Sequence, residues 1–383
     1  MKYKLFAFYL PQFHETQENN LWWGKGFTEW DNVRKAKPFL KSQSLPRVPL
    51  NNNYYDLSKL DTLILQGKLA REFLIEGFSI YHYWSKGVRL LQKPLDLILQ
   101  NKEIDFPFHL TWANHPWVRS WRNSSGNGEI LFNQQYEETK DEREIHFSFL
   151  DSVMRDKRYN RIDGKLLLNI YKPSFFPNFN EYISHLRDYI YQKQSEELQI
   201  NAMLTHHESN TEWAKEVDKI ILFQPGTALN NTSDLMNDSS NLSDVRKHII
   251  SYLINEDFYG KKMLYKIRNK FFQKPRIKKF GEISELIIKQ SQIDSFLGKE
   301  IIPGAFVDWD NTPRYGKYAT VIQDSNPLLF AEFLSQIKLV LDSRKISTLF
   351  INAWNEWGEC AYLEPDDRYG YEYLEAIKKI FNE

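Results

Sequence analysis

The sequence predicts an α/β protein, a (β/α)8 TIM-type barrel with an insertion between its sixth and seventh strands. Three observations predict it. Eight apolar runs of strand length alternate with longer helix-periodic segments, which implies βα units and a parallel sheet. Most runs end in aromatic and polar residues, and a barrel gathers such strand ends on one face. The last run delivers two carboxylates, Glu356 and Glu359, three positions apart. An open doubly wound sheet would use the same alternation, and strand counting leaves that alternative standing.

The runs are Tyr3–Tyr9, Phe78–Tyr83, Phe108–Trp112, Leu166–Tyr171, Gln199–Thr205, Lys219–Phe223, Ile301–Val307 and Thr348–Ala353. Most are rich in β-branched or aromatic residues, as buried strands are. Helical periodicity fills Leu57–Glu76, Thr139–Arg155, Phe179–Gln194 and Pro327–Arg344. At 383 residues the chain exceeds an average domain, but α/β barrels of that size form one unit, so a single catalytic domain over 1–383 is expected.

The residues just beyond each strand carry the functional reading. Strand one leads to Tyr9, Gln12 and His14, then to Trp22-Trp-Gly-Lys-Gly-Phe-Thr-Glu-Trp30, which brings Glu29 and Trp30. Strand two ends in Tyr81, His82, Tyr83 and Trp84. Strand three ends in Trp112, Asn114 and His115, with Trp117 and Trp121 close behind. Strand four ends in Tyr171 and Lys172, strand five in His206-His-Glu208, and strand six in Phe223-Gln-Pro225. Strand seven runs into Asp308-Trp-Asp-Asn-Thr-Pro-Arg314, with Trp309, Asp310 and Arg314 as candidates. Strand eight brings Asn352-Ala-Trp-Asn-Glu-Trp-Gly-Glu359, where Trp354, Asn355 and Trp357 surround the acids. Aromatic faces suit the C–H faces of sugars, and amides, imidazoles and guanidinium suit their hydroxyls. Any one ring fits core packing equally well; the convergence of many favours a sugar-lined mouth. Paired carboxylates suit glycosidic chemistry, one as proton donor and the other supporting positive charge on the sugar. They also suit the start of a helix, which is the bland alternative.

Bulk properties narrow the partners. Lys plus Arg (50) equal Asp plus Glu (50), so no global field favours nucleic acid. The single cysteine, Cys360, excludes an intramolecular disulfide and a multi-cysteine metal site. The start reads as a strand rather than a signal peptide, and no apolar run reaches membrane-spanning length. A cytoplasmic protein without an integral membrane segment is expected, so the sequon Asn123-Ser-Ser125 carries little meaning. The insertion, 226–300, opens polar and turn-prone and continues through the basic, aromatic Lys261–Lys279. That segment suits a solvated helix face, a membrane surface or a phosphate-bearing substrate.

Four ordered motifs point further. Phe8-Tyr-Leu-Pro-Gln-Phe-His14, Trp23-Gly-Lys-Gly-Phe-Thr-Glu-Trp30, Trp309-Asp-Asn-Thr-Pro-Arg314 and Asn355-Glu-Trp-Gly-Glu359 together resemble the WbsX-like family, which is similar to family-99 glycoside hydrolases. The resemblance covers nearly the whole chain. It implies a (β/α)8 barrel, a carbohydrate substrate and a role in building surface polysaccharides such as O-antigen or capsule; no cofactor is expected. Family-99 hydrolases act with retention on α-mannosidic linkages, using the sugar's own 2-hydroxyl as nucleophile. By that match Glu356 takes the 2-hydroxyl proton, and Glu359 protonates the leaving oxygen and later serves as base toward the acceptor. One departure stands out: where the hydrolases commonly carry His, this chain has Gly358.

Hydrolysis and transfer both fit this reading, and the oligosaccharide or polysaccharide substrate could be free or lipid-linked. No Gly-rich phosphate loop follows a strand, and the one Asp-x-Asp, Asp308-Trp-Asp310, is a weak diphosphate signal. Two alternatives stay open. His14, His82, His115, His206 and His207 could serve a metal-dependent barrel hydrolase, although no metal-ligand motif is present and no metal site is expected. A non-catalytic glycan-binding protein could keep the same barrel.

Overall fold

A parallel sheet organises the molecule, described here from a computed structural model over residues 2–119, 129–137, 139–205, 211–230 and 275–382. Its main strands are β1 (Lys4–Tyr9), β2 (Ile75–Ser85), β3 (Phe108–Trp112), β4 (Lys165–Ile170), β5 (Leu198–Leu204), β6 (Lys219–Leu222), β7 (Lys299–Ile302), β8 (Gly304–Phe306) and β9 (Thr348–Asn352). Their order across the sheet is β7-β6-β5-β4-β3-β2-β1-β9-β8, and every one of these neighbours is parallel. Register is set by apolar residues buried on both faces: Ala7 pairs with Phe78 and Ile351, and Leu110 with Ile80 and Leu168. Short antiparallel strands, Val88–Leu90 and Arg161–Ile162, extend β2 and β4.

The seventh apolar run is two strands rather than one. Pro303 separates β7, which pairs with β6, from β8, which pairs with β9. Proline has no N–H to give to a ladder, so the run breaks there. Gly304 follows because a Cβ at that point would lie 1.9 Å from the Leu222 carbonyl oxygen.

Four of the intervening helices are legible from periodicity. Phe179–Gln194 and Pro327–Arg344 match to the residue, and Lys140–Met154 is one residue shorter at each end than its periodic segment. Thr139 and Glu142 form a reciprocal capping box, and Asn326 caps the helix that Pro327 begins. The helix expected over Leu57–Glu76 is confined to Leu60–Glu72, because Leu74 turns to φ 65° and the chain enters β2 at Ile75. Within the sheet, Ser79, His109, Thr111, Asn169 and Asn201 form a buried neutral network, with Ser79 and Thr111 hydroxyls 2.6 Å apart.

Of the span 226–300, the described parts are the helices Gly226–Asn230 and Phe280–Ser291, the strand Arg276–Lys279, and the hairpin of Ser295–Phe296 with β7. Arg276–Lys279 pairs in parallel with Thr320–Gln323. The rest of the basic segment 261–279, the polar opening after Asn230, His206, His207, Trp121 and the sequon at Asn123 lie outside the described residues. No helix among the described residues is long and apolar enough to cross a membrane.

Candidate active site

The acid turn is built by fastening the end of β9 to the end of β1. Asn355 accepts from the Leu10 N–H at 2.8 Å and donates to the Leu10 carbonyl at 3.0 Å. Asn355–Glu356 then pairs with Ala361–Tyr362, and Trp357–Glu359 closes as one turn of 3-10 helix ending at Cys360, φ 55°. Residues three apart eclipse one another in a 3-10 turn, so Glu356 and Glu359 share a face. Trp357 points the other way. Its ring stacks on Tyr362 at 3.7 Å, and its Nε1 donates to Glu364 Oε2 at 2.7 Å.

Arg314 joins the two acids. Its Nη2 donates to Glu356 Oε1 at 2.6 Å, its Nη1 lies 3.2 Å from Glu359 Oε1, and its Nε donates to Glu29 Oε1 at 2.8 Å. The loop that carries it is tied to the turn, since the Asp310 N–H donates to the Glu359 carbonyl at 2.8 Å. The Asp310 carboxylate is buried and accepts from Gln43 Nε2 and the Thr312 N–H. Burial pushes Glu356 up to about 8 against the pull of Arg314, with Glu359 and Glu29 adding to the rise. Burial also raises Glu359, again opposed by Arg314. Both acids are therefore held above the ordinary carboxylate range, and their titrations are linked through the guanidinium they share.

Both open into a cavity of about 520 Å³. Of the residues singled out from the sequence, Tyr81, Tyr83, His115, Tyr171, Trp309, Arg314, Glu356 and Glu359 line it. Burial holds the Tyr81, Tyr83 and Tyr171 hydroxyls protonated, above the ordinary phenol range, and lowers His115 to about 4, while Lys172 and Arg314 bring positive charge to the same walls.

The other candidates sit behind these walls. Glu29 is wholly buried against Arg314. Trp30 Nε1 donates to the Tyr55 carbonyl, and Tyr9 OH donates to Gln66. His14 is buried, with its pKa lowered to about 4 by burial. His82 meets His146 at 3.1 Å, and Trp84 donates to Glu137 at 2.6 Å. Trp112 donates to the Trp84 carbonyl, while Asn114 brackets the Lys172 backbone and so shapes the end of β4. Trp354 packs on Phe78, and Trp354, Asn355, Trp357 and Asp310 do not reach the cavity. His14, His82 and His115 stand in separate environments, and among the described residues no group of three His, Cys, Asp or Glu stands together as metal ligands.

The cavity also takes Gln12, Trp117, Lys172 and Phe223, named above at strand ends, Trp23, Thr205, Asn311 and Asn352, which lie within the quoted segments without being singled out, and Tyr315, which lies outside them. Trp117 opens a hairpin, Trp117–Val118 with Ile130–Phe132, and its ring meets Tyr83 at 5.0 Å. Asn352 and Thr205 sit at strand carboxyl ends, which is the signal that would have marked them. Tyr315 follows Arg314 on the short helix Thr312–Tyr315, and nothing in its sequence context marks it.

The model of a family described as Glycosyltransferase WbsX matches residues 5–377. The chain is 30% identical over 379 residues to WxcX, a protein described as uncharacterized, from Xanthomonas campestris pv. campestris. That match covers 98% of this chain and 49% of the relative, so the chain spans about half the length of the curated relatives it matches. Among solved structures, a glycoside hydrolase-like protein has TM-score 0.56 and 13% identity, covering 99% of this chain and 94% of that one. The GH99 endo-alpha-mannosidase from Bacteroides thetaiotaomicron has TM-score 0.56 and 11% identity, covering 98% and 95%. At such identities the likeness is one of fold.

Proposed function

The chain belongs to the WbsX glycosyltransferase family, and on that premise we propose that it remakes or breaks glycosidic bonds with retention through Glu356 and Glu359. The observation that carries the reading is the pair itself: the buried Glu356 and the partly exposed Glu359 on one turn, bridged by Arg314 and opening into an aromatic cavity. Glu356, with the shorter contact to Arg314, serves as base and takes the proton of the substrate's 2-hydroxyl. That oxygen attacks the anomeric carbon while Glu359 gives its proton to the departing oxygen. In the second half Glu359 takes a proton from the incoming hydroxyl, whose oxygen forms the new bond at the anomeric carbon. The bond from the 2-oxygen breaks, and Glu356 returns the proton. Each acid ends as it began.

The same reading takes the sheet as a closed eight-stranded barrel. What supports closure is the step at Pro303, with β7 against β6 and β8 against β9, and the close passage of Gly304 beneath Leu222. The substrate is an oligosaccharide or polysaccharide of surface glycan assembly, handled in the cytoplasm, with transfer and hydrolysis differing only in which hydroxyl arrives second.

The test is incubation with defined oligosaccharides and with activated sugar donors, read by mass spectrometry, for the wild type, Glu356→Gln and Glu359→Gln. New or cleaved linkages of retained configuration are expected from the wild type alone. Normal turnover by Glu359→Gln would overturn the assignment. Tight oligosaccharide binding with no product under any pairing would mark a glycan-binding protein instead.

A further inference from the structure

Glu29 lies 285 residues from Arg314 in sequence, yet its carboxylate is wholly buried against the guanidinium. It begins the helix Glu29–Lys35, whose entry is fixed by Asp31 accepting from the Thr28 N–H at 3.1 Å. One oxygen, Oε1, accepts from Arg314 Nε; the other, Oε2, is buried with no hydrogen-bond partner among the described residues. A carboxylate gains little from such a place unless it holds something still.

Gly358 lies directly over this pair. A Cβ there would sit 2.2 Å from Glu29 Oε1, 2.8 Å from Arg314 Nε and 3.1 Å from its Cζ. The backbone of Gly358 is outside the left-handed region, so the constraint is room and not φ. A side chain at 358 would push the carboxylate and the guanidinium out of these positions.

We infer that Glu29 is a positioning residue for the acid pair, that it fixes Arg314 by its Nε edge so the two terminal nitrogens meet Glu356 and Glu359, and that Gly358 is the gap admitting it. This rests on the reading of Glu356 and Glu359 as the reacting acids. Glu29 adds a third negative charge to one guanidinium, and that charge raises the proton affinity of both acids. Arg314 and the hydroxyls of Tyr81, Tyr83, Tyr171 and Tyr315 also face the pair, each held in one protonation state by a raised pKa, and Lys172 and His115, the latter lowered to about 4 by burial, line the same cavity. Glu29 thus helps hold both acids above the ordinary carboxylate range.

The test needs no substrate. Glutamate labelled with 13C at the side-chain carboxyl is incorporated into the full chain, and the resonances of Glu356 and Glu359 are assigned by their Gln variants and followed with pH. Glu29→Gln keeps an oxygen for Arg314 Nε but removes the charge. The pair's titration is expected to move to lower pH by about half a unit or more. Gly358→Ala is expected to disturb the same titration by displacing Arg314. Adding Glu29→Ala should restore the melting temperature lost to the clash but leave the titration altered. A Glu29→Gln titration that coincides with wild type overturns the inference, and it decides the matter alone if Gly358→Ala does not fold. Full turnover by Glu359→Gln would instead sink the reading of the acid pair. An inactive Glu359→Gln beside an unmoved Glu29→Gln titration would sink the positioning role only.

Discussion

Glu359 and Glu364 stand five residues apart, and both carboxyls are pushed up by burial, yet their surroundings differ in kind. Glu364 is enclosed by neutral donors: Tyr55 OH at 2.7 Å, Gln66 Nε2 at 2.6 Å and Trp357 Nε1 at 2.7 Å. It faces no part of the cavity. Glu356 and Glu359 have one guanidinium between them, shared with Glu29, and open onto space. Burial and a raised pKa are therefore common to both regions and distinguish neither. A deficit of counter-charge beside an opening is what marks a site that exchanges protons; a full set of neutral partners marks a site that fastens the fold.

The comparison breaks most sharply at the acids. Glu356→Gln or Glu359→Gln is expected to lower turnover by about 10²–10⁴-fold, as loss of a general acid or base does, with little change in melting temperature. Product formation by mass spectrometry and a thermal melt measure the two halves. Arg314→Met should do harm on both sides, because it strands two buried carboxyls and a partly exposed one without their cation. A loss on the order of 3–5 kcal/mol is expected by chemical denaturation, and it should be smaller in acid, where the carboxyls are neutral.

Glu364→Gln sharpens the other side. The folded carboxyl titrates near 7 against an ordinary 4.5, so the folded state binds this proton more tightly than the unfolded chain. That contribution to stability is complete below pH 4.5 and is lost as pH rises through about 7. Replacing the acid by its neutral amide should flatten this part of the profile, on the order of 3 kcal/mol between those limits, with turnover kept. Denaturation at stepped pH, compared with wild type, reads the difference directly. Smallest is Trp357→Phe, which removes one donor from Glu364. A cost of about 1–2 kcal/mol is expected, independent of any substrate.

Sequence reasoning reaches the strands and the acid pair because both are local: a short apolar run and a spacing of three leave marks within ten residues. The partners of the acids are not local. Arg314 reads from sequence as a sugar ligand, and its task of bridging Glu29, Glu356 and Glu359 depends on loops far apart in the chain. Trp354 and Trp357 flank Glu356 in sequence, yet the geometry of the turn sends both rings inward, while Trp23 and Trp117 supply indoles to the cavity. Glu364 draws no notice, since a lone acid after an apolar stretch looks like any surface residue. Gly358 draws no notice as a residue type, and the room it leaves is taken by a carboxylate contributed by the first fifth of the chain.

The Asn355 clamp on Leu10 has a consequence for how the molecule comes into being. The corner that holds the two acids is sewn from strands that lie more than three hundred residues apart. During translation the first strand must wait, its edge unpaired, until more than three hundred further residues have emerged. A polypeptide arrested just short of Thr348 would hold most of the sheet and neither acid.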